Sequence, residues 1–319
     1  MNRRDLVPPW GDHNRYPWQS LFDRPRVSWP RGALLAVWVV VPVETFRFDA
    51  VAQPFTPDGA PTLNYPDFWG HSQRDYGNRV GFYRLARMLE RLGVRATAAV
   101  NSDACSKHPH LLGEVERLGW EVIGHGVSAS EPVHDGLTEH DERTLLERAL
   151  RDLRAATGQP VTGWLSPSGS ESTRTLDLLA ELGIDYVCDW PSDDLPFWLR
   201  ARTRDLVALP CSAELDDRAV MIDTHQSADE FEVQVAEQAN WLVREAREHG
   251  GRTMSVVLHP WISGVPHRIR AVERALAGVI TRDVWVATGG EIVREWQQAQ
   301  ARAGTTARDS SEPGKGASR

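Results

Sequence analysis

Trp120-Glu121-Val122-Ile123-Gly124-His125-Gly126 carries a short apolar run that stops on a histidine between two glycines. Such a run, closed by glycine, suits a strand buried inside a sheet. Outward from it the same punctuation recurs, with strand-like runs stopping at Glu44, Asn101, Ser166, Asp189 and His259. The spacing predicts strands at 34–43, 96–100, 121–124, 162–165, 186–188, 206–209, 253–258 and 284–287, with a further short run at 219–222. Between them, apolar residues at helical spacing predict helices at 77–92, 111–118, 139–156, 172–182, 228–248, 269–280 and 290–301, and Thr138 is placed to cap the third. Alternation of this kind makes parallel strands whose C-terminal ends converge on one face, so polar residues recurring there mark the mouth of a site. No Gly-x-Gly-x-x-Gly follows the first strand. The fold class expected is therefore α/β, a single (β/α) barrel of about seven strands rather than an open dinucleotide-binding sheet.

The flanks read differently. Residues 1–30, rich in Pro, Arg and Trp without periodicity, suggest an irregular arm laid over the body or a neighbouring subunit. The barrel is expected over 31–303, with a long loop at 47–76, and the polar stretch 304–319 is expected to be a disordered tail. A formal net charge of -8 with no basic stripe argues against nucleic-acid and anionic-membrane partners and favours a small-molecule substrate. Cys105, Cys188 and Cys211 are far apart without CxxC spacing, which indicates buried thiols rather than a zinc knuckle or disulfide framework. No apolar signal segment follows Met1, and 34–43 is too short to span a bilayer, so the expected location is cytoplasmic.

Chemistry concentrates at the strand ends. Glu44 could bind a metal, act as general base or hold a substrate N–H; its bland alternative is a rim salt bridge. His125, flanked by glycines that would leave its ring accessible, reads as a ligand or reacting group, against a hydrogen-bonded core histidine. His259, in Leu258-His259-Pro260-Trp261, is the candidate general acid, and Asp189 could orient it. Trp190-Pro191-Ser192-Asp193-Asp194-Leu195-Pro196-Phe197-Trp198 mixes acceptors with aromatics and could bind amide N–H groups, although Asp193 and Asp194 are as easily loop acceptors. Arg79 could bind a carbonyl or carboxylate, or form a salt bridge at a helix start. Trp69, Trp190, Trp198 and Trp261 could wall a planar substrate.

With these residues in view, the chain resembles the polysaccharide deacetylase (NodB-homology) superfamily, in the branch that holds metal-independent allantoinase, cyclic imide hydrolases and a peptidoglycan-deacetylase-like group. The resemblance runs from about Asp5 to Trp296 and rests on Asp75-Tyr76-Gly77-Asn78-Arg79-Val80-Gly81, Trp120 to Gly126, Asp189 to Trp198, Leu209-Pro210 with Glu214-Leu215-Asp216-Asp217, Leu258-His259 and Val284-Trp285-Val286. It implies a deformed, NodB-like barrel with its site at the strand C-termini. Metal-dependent members hold a zinc-like ion with an Asp and a His-x-x-x-His pair, use a second Asp as base and a late histidine as acid. Here Glu44 stands at the ligand Asp and His125 at the first histidine, but Ala129 takes the second, Pro42 the base and Leu165 the supporting arginine. His259 matches the late histidine and Asp189 the region that orients it. Glu131 could supply a missing ligand or base if its loop folds back.

The expectation is a hydrolase of non-peptide C–N bonds acting on a small cyclic amide, a ureide or imide. Water would be activated by Glu44, or by a divalent, zinc-like metal at Glu44 and His125; the incomplete ligand set leaves a metal-free site equally open. His125 or backbone N–H groups would steady the oxyanion, and His259 would protonate the departing nitrogen. The alternatives are a metal-dependent N-deacetylase of polysaccharide or peptidoglycan, and a barrel that binds without catalysis. The aromatic arm and the resemblance favour a homo-oligomer.

Overall fold

Leu35–Val43 forms β1, nine residues buried on both faces, as its unbroken aliphatic run demands. In the computed structural model, which describes residues 13–48, 66–281 and 283–309 with side chains to 302, it pairs with three strands of a nine-stranded sheet. Along the chain follow α1 (Phe68–Tyr76), a π turn (Gly77–Gly81), α2 (Phe82–Arg91), β2 (Thr97–Val100), α3 (Ala104–Lys107), α4 (Pro109–Arg117) and β3 (Glu121–Gly124). Then come α5 (Glu139–Thr157), β4 (Gly163–Trp164), α6 (Thr175–Glu181), β5 (Tyr186–Val187), β6 (Phe197–Leu199), β7 (Leu206–Ala208) and a second π turn (Ala219–Asp223). The chain closes with α7 (Ala228–His249), β8 (Arg252–Val257), α8 (Pro260–Ser263), α9 (Ile269–Val279), β9 (Val284–Val286) and α10 (Gly289–Asp309).

The strand order is β6-β7-β5-β4-β3-β2-β1-β8, with β9 against β1, and every pair is parallel except β6 with β7. β1 pairs β9 through Leu35–Val37 and β2 through Val40–Val43, so it changes partner midway and the barrel is deformed. Between β7 and β8 the wall is closed by irregular chain: Ser212 N–H donates to Ser255 Oγ, Val257 N–H to Leu215 O, and Asp216 bridges Val257. The sheet is curled with helices around it, and the fold is the α/β NodB-like barrel that the sequence implies.

Alternation along the strands decides what faces the mouth. Leu35, Val37, Val39, Val41 and Val43 pack outward against the helices, whereas Ala36, Trp38 and Val40 fill the barrel with Ala99, Ile123, Tyr186, Val207 and Val257. Ile292, Val293 and Trp296 of α10 join this inner cluster. Because side chains alternate with period two, the inner row of β1 continues through Pro42 to Glu44, that of β3 through Ile123 to His125, and that of β8 through Val257 to His259.

Several local expectations change. The stretch 68–76, expected as loop, is helical, with Asp67 accepting from Gly70 N–H at 2.9 Å as its cap. β6 was not foreseen, and α10 runs past residue 304 to Asp309. The expected arm over 1–12, the loop over 49–65 and the tail over 310–319 lie outside the described residues. Residues 13–33 lie on the body: Arg15 makes a buried ion pair with Asp177 at 2.9 Å, and Trp29 Nε1 donates to Arg252 O at 2.8 Å. Among the described residues no helix is long and apolar enough to cross a membrane, and the three cysteines are free.

Candidate active site

Register sets the site. Val43 pairs with Val100 and Val100 with Gly124, so the residues that follow, Glu44, Asn101 and His125, sit level at the mouth. Asn101, fully buried, ties the three strand ends: its Oδ1 accepts from Thr45 N–H at 2.8 Å and its Nδ2 donates to His125 O. Asn78, on the first π turn, donates to Glu44 O at 2.8 Å, and Ser128 Oγ donates to Thr45 O at 2.8 Å. The two peptides that follow Glu44 are thereby fixed.

Glu44 lies between two imidazoles. Its Oε1 is 3.8 Å from His125 Nε2 and its Oε2 4.0 Å from His259 Nε2. Burial acts to raise its carboxyl, but the facing His125, then His259 and Arg218, prevail and hold it at about 2, so it is ionised at neutral pH. His125 gives Nδ1 to Leu165 O at 2.6 Å, the geometry of an Nδ1–H donor, and turns Nε2 toward Glu44.

The glycines beside His125 do something other than expose it. His125 is only 4% exposed. A Cβ on Gly124 would strike the Trp164 ring, and Gly126 has φ 69°, a left-handed conformation in which a Cβ would also press on Pro167 Cγ. They let the strand end fold tightly around the ring.

His259 precedes α8, where Pro260 begins the helix and needs no N–H partner. Asp217, with no exposed surface, accepts from His259 Nδ1 at 2.7 Å, from His259 N–H at 2.9 Å and from Ser263 Oγ. Burial opposes the imidazolium, but Asp216, Asp217 and Glu44 raise its pKa to about 10, so Nε2 carries a proton toward Glu44 at neutral pH. Asp217 thus fills the orienting role expected of Asp189. Asp189 instead accepts from Ser166 N–H at 2.8 Å and Ser166 Oγ at 3.0 Å. Burial raises its pKa and that of the adjacent Glu171, so the two buried acids disfavour a doubly charged state.

The loop residues scatter. Asp193 forms an ion pair with Arg24 and accepts from Leu195 N–H, while Asp194 O accepts from Thr253 N–H at the start of β8, the end away from the mouth. Trp198, 44% exposed, packs at a tilt against Trp296, and Trp69 is 82% exposed. Neither walls the site. Arg79 is exposed, since its π turn presents Asn78 to Glu44 instead. Glu131 pairs with Arg47 at 2.7 Å and supplies neither ligand nor base. Trp190 packs edge-on to His13 and Tyr16 of the arm. Trp261 does stand at the site, its ring 6.4 Å from that of His259 and its indole N–H buried without an acceptor.

Sequence reasoning missed Asp217, Asn78, Arg74 and Arg218. Asp217 could have been found only through the segment Glu214-Leu215-Asp216-Asp217, on which the family resemblance already rests. A cavity of about 560 Å³ opens beyond loop 45–48, lined by Phe46, His71, Asn78 and His108 among others, but none of Glu44, His125 or His259 lines it.

A divalent ion at a catalytic centre wants about three protein ligands. Glu44 and His125 provide two, and Ala129 contributes no donor side chain. Asp216, Asp217 and His259 form the three-donor cluster found among the described residues. There the 2.7 Å contact is a hydrogen bond, and both Asp217 oxygens are already engaged. These residues do not fit a resident metal.

Comparison with known proteins follows the same lines. The family model described as polysaccharide deacetylase matches residues 74–187. A Schizosaccharomyces pombe protein assigned to the polysaccharide deacetylases is 23% identical over 84% of this chain and 92% of its own. The peptidoglycan deacetylase of Helicobacter pylori is 23% identical over 63% of this chain and 78% of its own. The crystal structure of PuuE allantoinase, 23% identical, superposes with a TM-score of 0.75 over 89% of this chain and 98% of that one. The barrel and the strand-end site agree with the polysaccharide deacetylase match over residues 74–187, and the fold is that of the NodB-like structures.

Proposed function

We propose that the protein hydrolyses the C–N bond of a small cyclic amide, a ureide or imide, without a resident metal. The observation that carries this reading is the ionised Glu44 set between Nε2 of His125 and the charged, Asp217-held His259. Glu44 takes a proton from water as its oxygen attacks the carbonyl carbon, with the His125 ring beside it. As the C–N bond breaks, the nitrogen takes the Nε2 proton of His259. Because the substrate is cyclic, the new carboxylate and the freed nitrogen leave in one product. The unpaired indole N–H of Trp261 is a donor for a ring carbonyl.

Enclosure favours a small substrate over a polymer. The side chains of Glu44, His125 and His259 are 12%, 5% and 8% exposed, which suits a pocket better than a groove for a glycan chain. The family match keeps a metal-dependent sugar N-deacetylase as the rival, against which the donor set speaks. Turnover of allantoin, hydantoins, cyclic imides and N-acetyl sugars distinguishes them: ring opening supports this reading, and release of acetate from the sugars alone overturns it.

A further inference from the structure

Two cations flank Glu44, and of the two Arg74 also feels the charge of Asp67. Arg74 of α1 and Arg218 both act electrostatically on Glu44 and on each other. Neither guanidinium makes a hydrogen bond or an ion pair to a described residue. The Arg74 guanidinium lies 4.6 Å over the centre of the Phe46 ring, two residues beyond Glu44. Burial, the largest influence on Arg74, disfavours its charge, and Arg218 adds repulsion. Arg218 is anchored through its backbone, its N–H donating to Asp216 Oδ1 at 2.7 Å, beside the Asp217 that holds His259. Glu44 does not neutralise both, since it already faces two imidazoles. Half-buried cations that repel each other are a standing electrostatic cost, relieved when an anion enters between them.

We propose that Arg74 and Arg218 form a carboxylate-binding subsite, so that the preferred substrate is a cyclic amide bearing an anionic substituent. This rests on the hydrolase reading for the word substrate, but its test does not need turnover. Planar guanidinium forks match a carboxylate in two-point contact, and the stacked Phe46 fixes the plane of one of them.

The test is calorimetric titration of the full chain with hydantoin-5-acetate and with hydantoin-5-acetamide, which differ in charge and little in shape. The wild type is expected to bind the carboxylate about 10-fold to 100-fold more tightly, the range that charged hydrogen bonds supply. Arg74→Met and Arg218→Met should each remove most of that preference, while Arg74→Lys and Arg218→Lys keep part of it; thermal unfolding checks that each variant is folded. Equal affinity for the two probes in the wild type, or no binding of either, overturns the subsite, as does an undiminished preference in both Met variants. A clear preference without any ring opening leaves the subsite standing and sinks the hydrolase reading alone.

Discussion

Glu44 owes its charge to its neighbours, not to solvent. Replacing it with Gln keeps the shape and removes the acceptor, so turnover should fall by at least about 10³-fold with an unchanged unfolding temperature; wild-type rates would remove it from the chemistry. Asp217→Asn leaves His259 without its charged partner, and kcat should fall by about 10²-fold or more. The same pair sets the pH response. Glu44, lowered from 4.5 to about 2, favours the folded state above its ordinary value, and this is lost as pH falls through 2. His259, raised from 6.5 to about 10, stabilises fully below 6.5 and ceases to as pH rises through 10. Both reacting forms therefore coexist across neutral pH, and kcat/KM should be level from about pH 5 to 9 with an alkaline limb near 10 that moves down in Asp217→Asn; a wild-type limb near 6.5 would contradict the account. Glu44, His125 and His259 were legible because period-two alternation carries them inward past the strand ends. Asp217 was not, because it follows irregular chain that closes the barrel instead of a strand with its own apolar run.

At the level of elements, α8 and the first π turn act as one unit beneath His259. A Cβ on Gly81 would fall on the Pro260 carbonyl oxygen, and one on Gly77 would lie 2.8 Å from Trp261 N. Gly81→Ala should therefore cost about 1–3 kcal/mol by overpacking and lower both Tm and kcat, since Pro260 directly follows His259; an unchanged Tm would show that the contact is not tight. The long elements were legible from periodicity, and the Thr138 cap is in place, its side chain accepting from Asp141 N–H at 3.1 Å. What escaped is short or unusual. α1 hides in a stretch of aromatic and polar residues without an apolar stripe, and no residue of it is buried. The π turn adds a residue to the helical period, which brings Asn78 to Glu44 while Arg79 stays exposed. β6 has three residues, too few for alternation to register.

For the molecule as a whole, the barrel interior is packed below and polar above, with α10 filling one end and Glu44, His125 and His259 gathered at the other. The NodB-like fold supplies this frame, while the residues at its mouth differ from a metal-binding set. Residues 13–33 hold to the body through Arg15, Arg24 and Trp29, yet leave Trp18 and Phe22 at 85% and 75% exposure. We propose a homo-oligomer, which light scattering checks: a monomer at micromolar concentration would contradict it. The most direct test of the central claim is the rate of ring opening of hydantoins and cyclic imides before and after exhaustive chelation. The account predicts an unchanged rate; a rate abolished by chelator and restored by zinc would contradict it.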